Sequence, residues 1–418
     1  MPPRAPPDKA AEVPAQDALT ALFTESIRGA DAYAAVMRAA RRDGEALRVG
    51  NRFLRSDKLK EVAFVAAGNA AAPMASALVR SLGDTVTQGL VIGPEAPPEG
   101  FPFRSRLVRE PFLPSPEGMV AATEALELAA GLGPEDLFIP LLSPGALGML
   151  ALPPEELGLD AYRSLVQEAA ERALPWESLG AMVRGLSRTQ GGRLAAAVRG
   201  APIEALVVER GEGGAEVGAG PTSPPPADTG AKCRQALESL GRWSTLPSRV
   251  REGVAVPPVI DMTLGHAPHT VVVGGPADAL DAAGVESATR RHRPKLVALH
   301  DPSGPEEAAR HLLDALEVEI RKPSDRNSRG VAVFSGLSLG SVEGRETSAL
   351  LRDFLVAGQK HVTRREVSLG VIYTGGSIRS GIAQATGTAG AHQGPDLAKM
   401  KGGFTDVAML GVAWYSLE

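Results

Sequence analysis

The clearest pattern along the chain is a fully apolar run that stops at a glycine and continues at once into residues with helical spacing. Residues 61–67 are predicted as a buried strand, Gly68 as a turn, and residues 70–82 as an amphipathic helix. In open α/β sheets, such a junction places backbone N–H groups at the start of a helix beside an anionic ligand. A tight turn without a ligand has the same pattern, so the junction alone leaves both interpretations open.

Short apolar runs and amphipathic segments keep alternating after this junction. Further strands are predicted at residues 86–92, 136–142, 203–208, 271–273, 296–299, 331–334, 367–373 and 407–412. Helices are predicted within residues 17–42 and at 119–132, 160–174, 177–186, 192–198, 232–240, 277–283, 306–321 and 347–356. This alternation favours an α/β fold whose doubly wound, mostly parallel sheet has helices on both faces.

The length of the chain indicates more than one domain. Its 418 residues exceed what one hydrophobic core usually organises, so two domains are expected. Residues 1–16 carry prolines and charges without an apolar stretch and are predicted as a disordered tail. A connector-like segment that begins at Trp243 sets the boundary near residue 245, which gives domains at 17–245 and 246–418.

Composition argues against several classes of partner. The formal net charge of −5 argues against nucleic acid, because binding a duplex needs a basic face. No apolar stretch has the length of a membrane span, so no membrane partner is expected. Cys233 is the single cysteine and allows no internal disulfide. A cytoplasmic protein with small-molecule ligands is therefore expected, and a homodimer is left open.

Several predicted strands end in turns that are rich in glycine and hydroxyl residues. These turns contain Gly68, Ser143 with Gly145, Ser335 with Gly336, and Thr374 with Gly375. Because ligands of open α/β sheets gather at the carboxyl ends of the strands, the turns predict a binding edge. Two loops offer related chemistry and contain Gly191, Gly192 and Arg193 in one case, Gly220 and Thr222 in the other. Tight turns and solvated side chains remain the alternative interpretation.

The sequence supports a metal site less well than it supports a binding edge at the strand ends. His266 and His269 have a spacing that occurs at zinc sites, but Pro268 between them indicates a loop, and no metal site is predicted there. Glu209 and Glu212 follow a predicted strand and have the chemistry to bind Mg²⁺. A solvated acidic loop is the favoured interpretation of these two glutamates.

Taken in order, several segments resemble motifs of the glycerate 2-kinase family, whose C-terminal part is the MOFRL domain. The similar motifs are the family's Gly-Ala-Gly-Lys-Ala-Ala turn at residues 66–71, Ser-Gly-Gly-Gly-Ser turn at 143–147, Lys-Gly-Gly-Arg-Leu segment at 190–194 and Ser-Gly-Pro-Thr loop at 219–222. The second half is similar more weakly, at Arg345 and at residues 335–338, 373–376 and 405–407.

The resemblance implies a Rossmann-like glycerate kinase-type domain, a smaller MOFRL-like α/β domain and an active-site cleft between them. It also implies ATP and Mg²⁺ as cofactors, and catalytic positions at Asn69 and Arg345. The residues that it implies for binding substrate or nucleotide are Gly68, Ser143, Gly145, Gly191, Gly192, Arg193, Gly220, Thr222, Ser335, Gly336, Thr374, Gly375 and Asp406.

The departures from the family motifs share one feature, the loss of charge. Asn69 and Gln190 stand where the family has lysines, and Ser338 and Gly375 stand where it has acidic residues. Phosphoryl transfer depends on positive charge placed around the transferred group. Removing one such electrostatic donor commonly lowers a rate by about 10²–10³. We therefore expect impaired catalysis rather than the loss of every ligand.

Three hypotheses of function follow. The first is ATP-dependent phosphorylation of glycerate or a related small hydroxy acid, with Arg193 and Arg345 holding anionic groups. The second is a non-catalytic descendant that binds a nucleotide or an organic acid or acts as a regulatory partner. The third is a sugar-phosphate isomerase-like domain, whose strand–glycine–helix turns look similar. The Gly-Gly-Arg-Leu and Gly-Pro-Thr segments favour the kinase family over the third.

Overall fold

A computed structural model describes residues 12–109, 113–172, 174–209, 220–255, 267–297, 305–323, 328–336, 347–362, 367–372, 383–386, 389–393 and 410–416. Two compact units form. The first unit comprises the described residues within Asp31–Gly275, and the second those within Met1–Ala30, Pro276–Gly402 and Val407–Glu418. The units divide between Gly275 and Pro276, and the domain boundary near residue 245 stays a prediction.

The regular elements confirm the α/β class. The strands are β1 Ala40–Asp43, β2 Ala46–Val49, β3 Arg52–Arg55, β4 Val62–Ala67, β5 Gln88–Gly93, β6 Arg104–Leu107, β7 Leu137–Leu142, β8 Glu204–Val208, β9 His269–Gly274, β10 His292–Leu296, β11 Gly330–Gly336, β12 Val367–Ile372, β13 Ala383–Thr386, β14 Ala389–Gln393 and β15 Leu410–Ser416. The helices are α1 Glu12–Gly29, α2 Ala32–Ala39, α3 Ala71–Leu82, α4 Pro116–Ala130, α5 Ala146–Met149, α6 Leu159–Glu171, α7 Trp176–Gly185, α8 Arg193–Ala196, α9 Thr229–Ser239, α10 Ser248–Ala255, α11 Pro276–Thr289, α12 Pro305–Ile320 and α13 Thr347–His361.

The first unit is built on a six-stranded sheet of order β6-β5-β4-β7-β8-β9 in which every pairing is parallel. Its central strands are buried on both faces, as expected when helices cover a parallel sheet on two sides. On β4, Val65 packs into a cluster with α4, whereas Phe64 packs into a second cluster with α2 and α3. The predicted doubly wound sheet is confirmed.

The segments that connect β7 to β8 and β8 to β9 form a layer of helices. Residues of α6, α7, α9 and α10 bury a separate apolar cluster that includes Tyr162, Met182 and Cys233. The predicted loop at residues 190–194 follows α7 in the first of these two segments. The helix α10 lies inside the segment that the sequence predicted as a connector.

The second unit has a six-stranded mixed sheet of order β10-β11-β15-β12-β13-β14. Only the β10–β11 pairing is parallel among its described strands. Val333 faces a cluster with α12 and α13, and Phe334 faces one with α1 and α11. Both faces of this sheet are therefore covered by helices.

Several predicted boundaries were wrong. Residues 12–16, predicted as part of a disordered tail, are helical in α1. Residues 40–42, predicted as the end of a helical segment, belong to β1, which forms a three-stranded antiparallel sheet with β2 and β3. Turns at Gly44 and Gly50, where φ is +59° and +55°, connect these strands. The strand predicted at 296–299 lies earlier, at β10.

Candidate functional site

The turn after β4 fits tightly against the turn after β7. Gly68 has φ +113°, and a Cβ on it would lie 2.3 Å from the carbonyl oxygen and 2.4 Å from the Oγ of Ser143. The two strands pair in parallel up to Ala67 and Leu142, so their carboxyl ends are adjacent. Glycine is therefore required at position 68 both by backbone conformation and by space.

The backbone N–H groups of this turn are used inside the protein. Those of residues 68, 69, 70 and 71 all donate to protein oxygens. The acceptors are, in that order, the carbonyl of Ile92 at 3.1 Å, the carbonyl of Pro144 at 2.8 Å, the Oγ of Ser143 at 3.0 Å and the carbonyl of Gly68 at 3.1 Å. Of the two interpretations that the sequence left open, the one with free N–H groups is excluded at these four positions. Consequently their backbone does not fit a phosphate group.

The loop of residues 190–193 interlocks with the Gly220 loop. Gly191 and Gly192 have φ +63° and +80°, and the N–H of Gly192 donates to the carbonyl of Gly220 at 2.8 Å. The carbonyl of Pro221 accepts the N–H of Leu194 at 3.1 Å. These bonds satisfy donors at the start of α8, because the first N–H groups of a helix have no intrahelical acceptor. Thr222 follows and is fully buried.

Gln190 joins this loop to the turn after β7. Its side chain is fully buried, and its Nε2 donates to the carbonyl of Leu147 at 3.0 Å. Leu147 belongs to the short helix α5, which starts directly after Gly145. The Oε1 of Gln190 is buried and has no hydrogen-bond partner among the described residues. The amide therefore fastens two predicted binding turns to each other.

Arg193 is the cationic residue of the loop. Its Nη1 donates to the carbonyl of Arg184 at 2.8 Å and to the carbonyl of Gln190 at 3.0 Å. Burial lowers the pKa of the Arg193 guanidinium. A guanidinium keeps its charge in proteins, so Arg193 supplies a partly desolvated positive charge at this edge.

A buried thiol and a buried phenol lie behind the loop. A Cβ on Gly185 would lie 2.7 Å from the Sγ of Cys233, so thiol and helix α7 are in close contact. Burial raises the pKa of Cys233 to about 12 and raises that of Tyr162 well above its usual range. A neutral thiol is a poor nucleophile, so Cys233 is a core residue rather than a reactive group.

A second polar cluster, which the sequence did not reveal, lies at the opposite edge of the same sheet. The Glu204 carboxylate is almost fully buried at the start of β8, where its Oε1 accepts the N–H of Asn51 at 2.9 Å. Arg52 and His269 lie 3.3 and 3.0 Å from its two oxygens. The contact between Asn51 and Glu204 could not be predicted from the sequence, because the two residues are far apart in the chain. His269 thus has a structural partner, and His266 lies outside the described residues.

The predicted site residues divide into three groups. The first unit brings together Gly68, Asn69, Ser143, Gly145, Gly191, Gly192, Arg193, Gly220 and Thr222 through the contacts described above. Ser335 and Gly336 end β11 in the second unit, where Ser335 is buried. Arg345, Thr374, Gly375, Asp406 and Glu212 lie outside the described residues.

The described residues contain neither a cluster of metal ligands nor a membrane-spanning helix. No group of three or more His, Cys, Asp or Glu side chains comes close enough there to hold a metal ion. None of the described helices combines the length and apolar character that crossing a membrane requires.

Comparison with known proteins gives matches along most of the chain. The family model described as a domain of unknown function, DUF4147, matches residues 18–255. A protein of Agrobacterium vitis named "Putative hydroxypyruvate reductase" is 25% identical over 370 residues, which cover 82% of this chain and 88% of that protein. The D-glycerate 2-kinase of Thermotoga maritima is 31% identical over 152 residues, 36% of either chain.

A solved structure matches the fold over almost the whole length. The crystal structure of a glycerate kinase from Thermotoga maritima superimposes with a TM-score of 0.77, covering 96% of this chain and 100% of that one at 18% identity. At that identity the likeness concerns the fold alone. Both α/β units of the chain therefore have counterparts in one known architecture.

Proposed function

Because the chain belongs to the DUF4147 family, as the resemblance to glycerate 2-kinases indicated from its sequence, we propose that it is a glycerate 2-kinase-like protein with impaired catalysis. It binds glycerate or a related small hydroxy acid, and ATP-dependent phosphorylation of that acid is slow. The C-terminal half is, in this proposal, a MOFRL-like domain that contributes Arg345, Thr374, Gly375 and Asp406.

The observation that carries the proposal is the assembly of turns at one edge of the parallel sheet. The turn after β4, the turn after β7, the 190–193 loop and the Gly220 loop are hydrogen-bonded to one another. Small ligands of open α/β sheets bind at this edge. The assembly supports a pocket for a small polar ligand in a chain of this family.

The chemistry of the assembled side chains supports impairment. Asn69 is a neutral amide at the start of the turn after β4, and Gln190 is a second neutral amide whose Nε2 is already bonded to the protein. Neither group supplies the positive charge that stabilises a transferring phosphoryl group. The N–H groups of residues 68–71, which would be the other source of positive potential, also have protein acceptors.

A non-catalytic binding protein is the second candidate. The engaged N–H groups and the two neutral amides support it as well as they support an impaired kinase, because both features reduce what this edge offers to a phosphate group. Turnover alone separates the two candidates.

Release of ADP in the presence of Mg-ATP and D-glycerate is the deciding measurement. We expect a rate at least about 10²-fold below the 1–100 s⁻¹ that is typical of kinases. A thermal shift produced by D-glycerate is expected whether or not ADP is released. A rate within the typical range would refute impairment, and the absence of both turnover and thermal shift would refute the proposed ligand.

Restoring charge provides a matched test. Asn69→Lys is expected to raise the rate of ADP release by about tenfold or more, because it returns a cation to the turn after β4. Asn51→Lys adds the same charge to an exposed position at the opposite edge of the sheet and is expected to leave the rate unchanged. Equal effects of the two substitutions would show that charge at the turn is not what limits the reaction.

A further inference from the structure

The guanidinium of Arg193 is held in place by one of its three nitrogens. Nη1 donates to two backbone carbonyls, those of Arg184 and Gln190, at 2.8 and 3.0 Å. One carbonyl lies at the end of α7 and the other in the loop that precedes α8. The Arg193 side chain therefore links these two segments by hydrogen bonds. The plane and direction of the guanidinium are therefore fixed by the protein before any ligand arrives.

The other edge of the same guanidinium is left without a protein partner. Nε and Nη2 form no hydrogen bond, and Arg193 forms no ion pair, within the described part of the chain. Nε–H and Nη2–H point in parallel from one side of the group. This is the edge that binds both oxygens of a carboxylate in side-on pairs.

The surroundings of Arg193 make an unpaired cation costly. The side chain is partly buried, and this burial lowers the pKa of its guanidinium. The adjacent Cys233 gives no compensating negative charge, because its thiol is neutral at ordinary pH. A partly desolvated cation is stabilised when an anion pairs with it.

The loop also leaves space for the guanidinium. Gly191 carries no side chain, and a Cβ on it would lie 3.2 Å from the Nη1 of Arg193, with its φ of +63° already unfavourable for other residues. Gly192, at φ +80°, turns the chain into α8 directly before Arg193. Two glycines and two backbone carbonyls thus surround and orient the guanidinium of Arg193.

We propose that Arg193 binds the carboxylate of the small hydroxy acid through its free Nε–Nη2 edge, in a side-on bidentate pair. The inference rests on the proposed function for the identity of the acid, and it assigns the recognition of the carboxylate to one residue. In this proposal the loop recognises the carboxylate of the ligand and not its hydroxyl groups.

Calorimetric titration of the full chain tests the assignment. Wild type is expected to bind D-glycerate and to show no binding of glycerol, which has the same hydroxyl chemistry without a carboxylate. Arg193→Lys keeps the charge and a donor for the two carbonyls but loses the paired N–H edge. It is expected to weaken D-glycerate at least about tenfold while its melting temperature stays within a few degrees of wild type.

The matched control is Arg188→Lys, an exposed position near the loop, which is expected to bind D-glycerate like wild type. Arg193→Gln serves as a second variant if the lysine variant is unstable, because its amide also donates to carbonyls. A folded Arg193 variant that binds D-glycerate as tightly as wild type overturns the inference, as does equal binding of glycerol. Inorganic phosphate competing as strongly as D-glycerate would also overturn it.

The proposed function and the inference fail separately. If D-glycerate binds through Arg193 but no ADP is released, the inference stands and the kinase activity falls. If ADP is released at equal KM in wild type and Arg193→Lys, the activity stands and the inference falls.

Discussion

Replacing Gly68 with alanine tests the junction on which the site depends. The backbone at this residue has φ +113°, and the added Cβ would lie 2.3 Å from the carbonyl oxygen of Ser143. Such a backbone conformation costs about 1–3 kcal/mol for a residue other than glycine. Forcing a methyl group into a packed contact adds about 1–3 kcal/mol. We therefore expect the free energy of unfolding to fall by about 2–6 kcal/mol.

Thermal unfolding followed by circular dichroism measures the effect. For a unit of this size, the loss corresponds to a midpoint lowered by roughly 4–24 °C. Gly44→Ala is the matched control, because Gly44 also has a positive φ of +59° but nothing lies within 4 Å of the added Cβ. This control carries only the conformational cost of about 1–2 kcal/mol.

A double variant distinguishes the steric effect of the Ser143 Oγ from that of the Ser143 carbonyl oxygen. Removing the Ser143 side chain in Gly68→Ala/Ser143→Gly leaves the carbonyl oxygen in place at 2.3 Å, so no rescue is expected. If Gly68→Ala lowers the midpoint no more than Gly44→Ala, the close contact between the two turns is refuted as the reason for the glycine. If the double variant recovers stability, the obstacle is the Oγ of Ser143 and not its carbonyl oxygen.

Three further predictions concern buried polar groups. Tyr162→Phe removes a buried hydroxyl with no hydrogen-bond partner among the described residues, so urea denaturation is expected to show about 1–3 kcal/mol of added stability, and a loss would indicate a partner. Glu204→Ala leaves the partners of a buried carboxylate unpaired and is expected to cost about 3–5 kcal/mol in the same assay. Glu135→Ala breaks only an exposed ion pair and should cost less than about 1 kcal/mol; equal losses would contradict the structural role of Glu204. With its pKa raised to about 12, the Cys233 thiol stays protonated at pH 8 and should react with a thiol reagent only after denaturation, and rapid labelling of the native protein would contradict its burial.

The sequence predicted elements best where burial and periodicity agreed. The junction of β4, Gly68 and α3 could be predicted because all residues of the strand are buried and the helix follows without a break. The sheet of β1–β3 was missed because its strands have four residues each and expose charged side chains such as Arg41. The edge strand β6 was missed for the same reason, since all its residues are exposed.

The candidate site could be predicted as a set of turns but not as a set of contacts. Parallel strands end at one edge, so the meeting of the Gly68 and Ser143 turns follows from topology. The bond from the N–H of Ala70 to the Oγ of Ser143 spans 73 positions, and local pattern carries no information about it. The sequence therefore left open whether the N–H donors of this junction are free, and the fold provides acceptors for them.

This difference decides which anion the described edge suits. Positive potential at a strand–helix turn comes from free backbone N–H groups or from charged side chains. The N–H groups of residues 68–71 are bonded internally, and Asn69 and Gln190 carry no charge. Arg193 therefore becomes the source of positive charge with an open hydrogen-bonding edge in this loop, and one guanidinium edge matches one carboxylate. A triphosphate needs several such donors at once, so the described edge favours the small acid over the nucleotide.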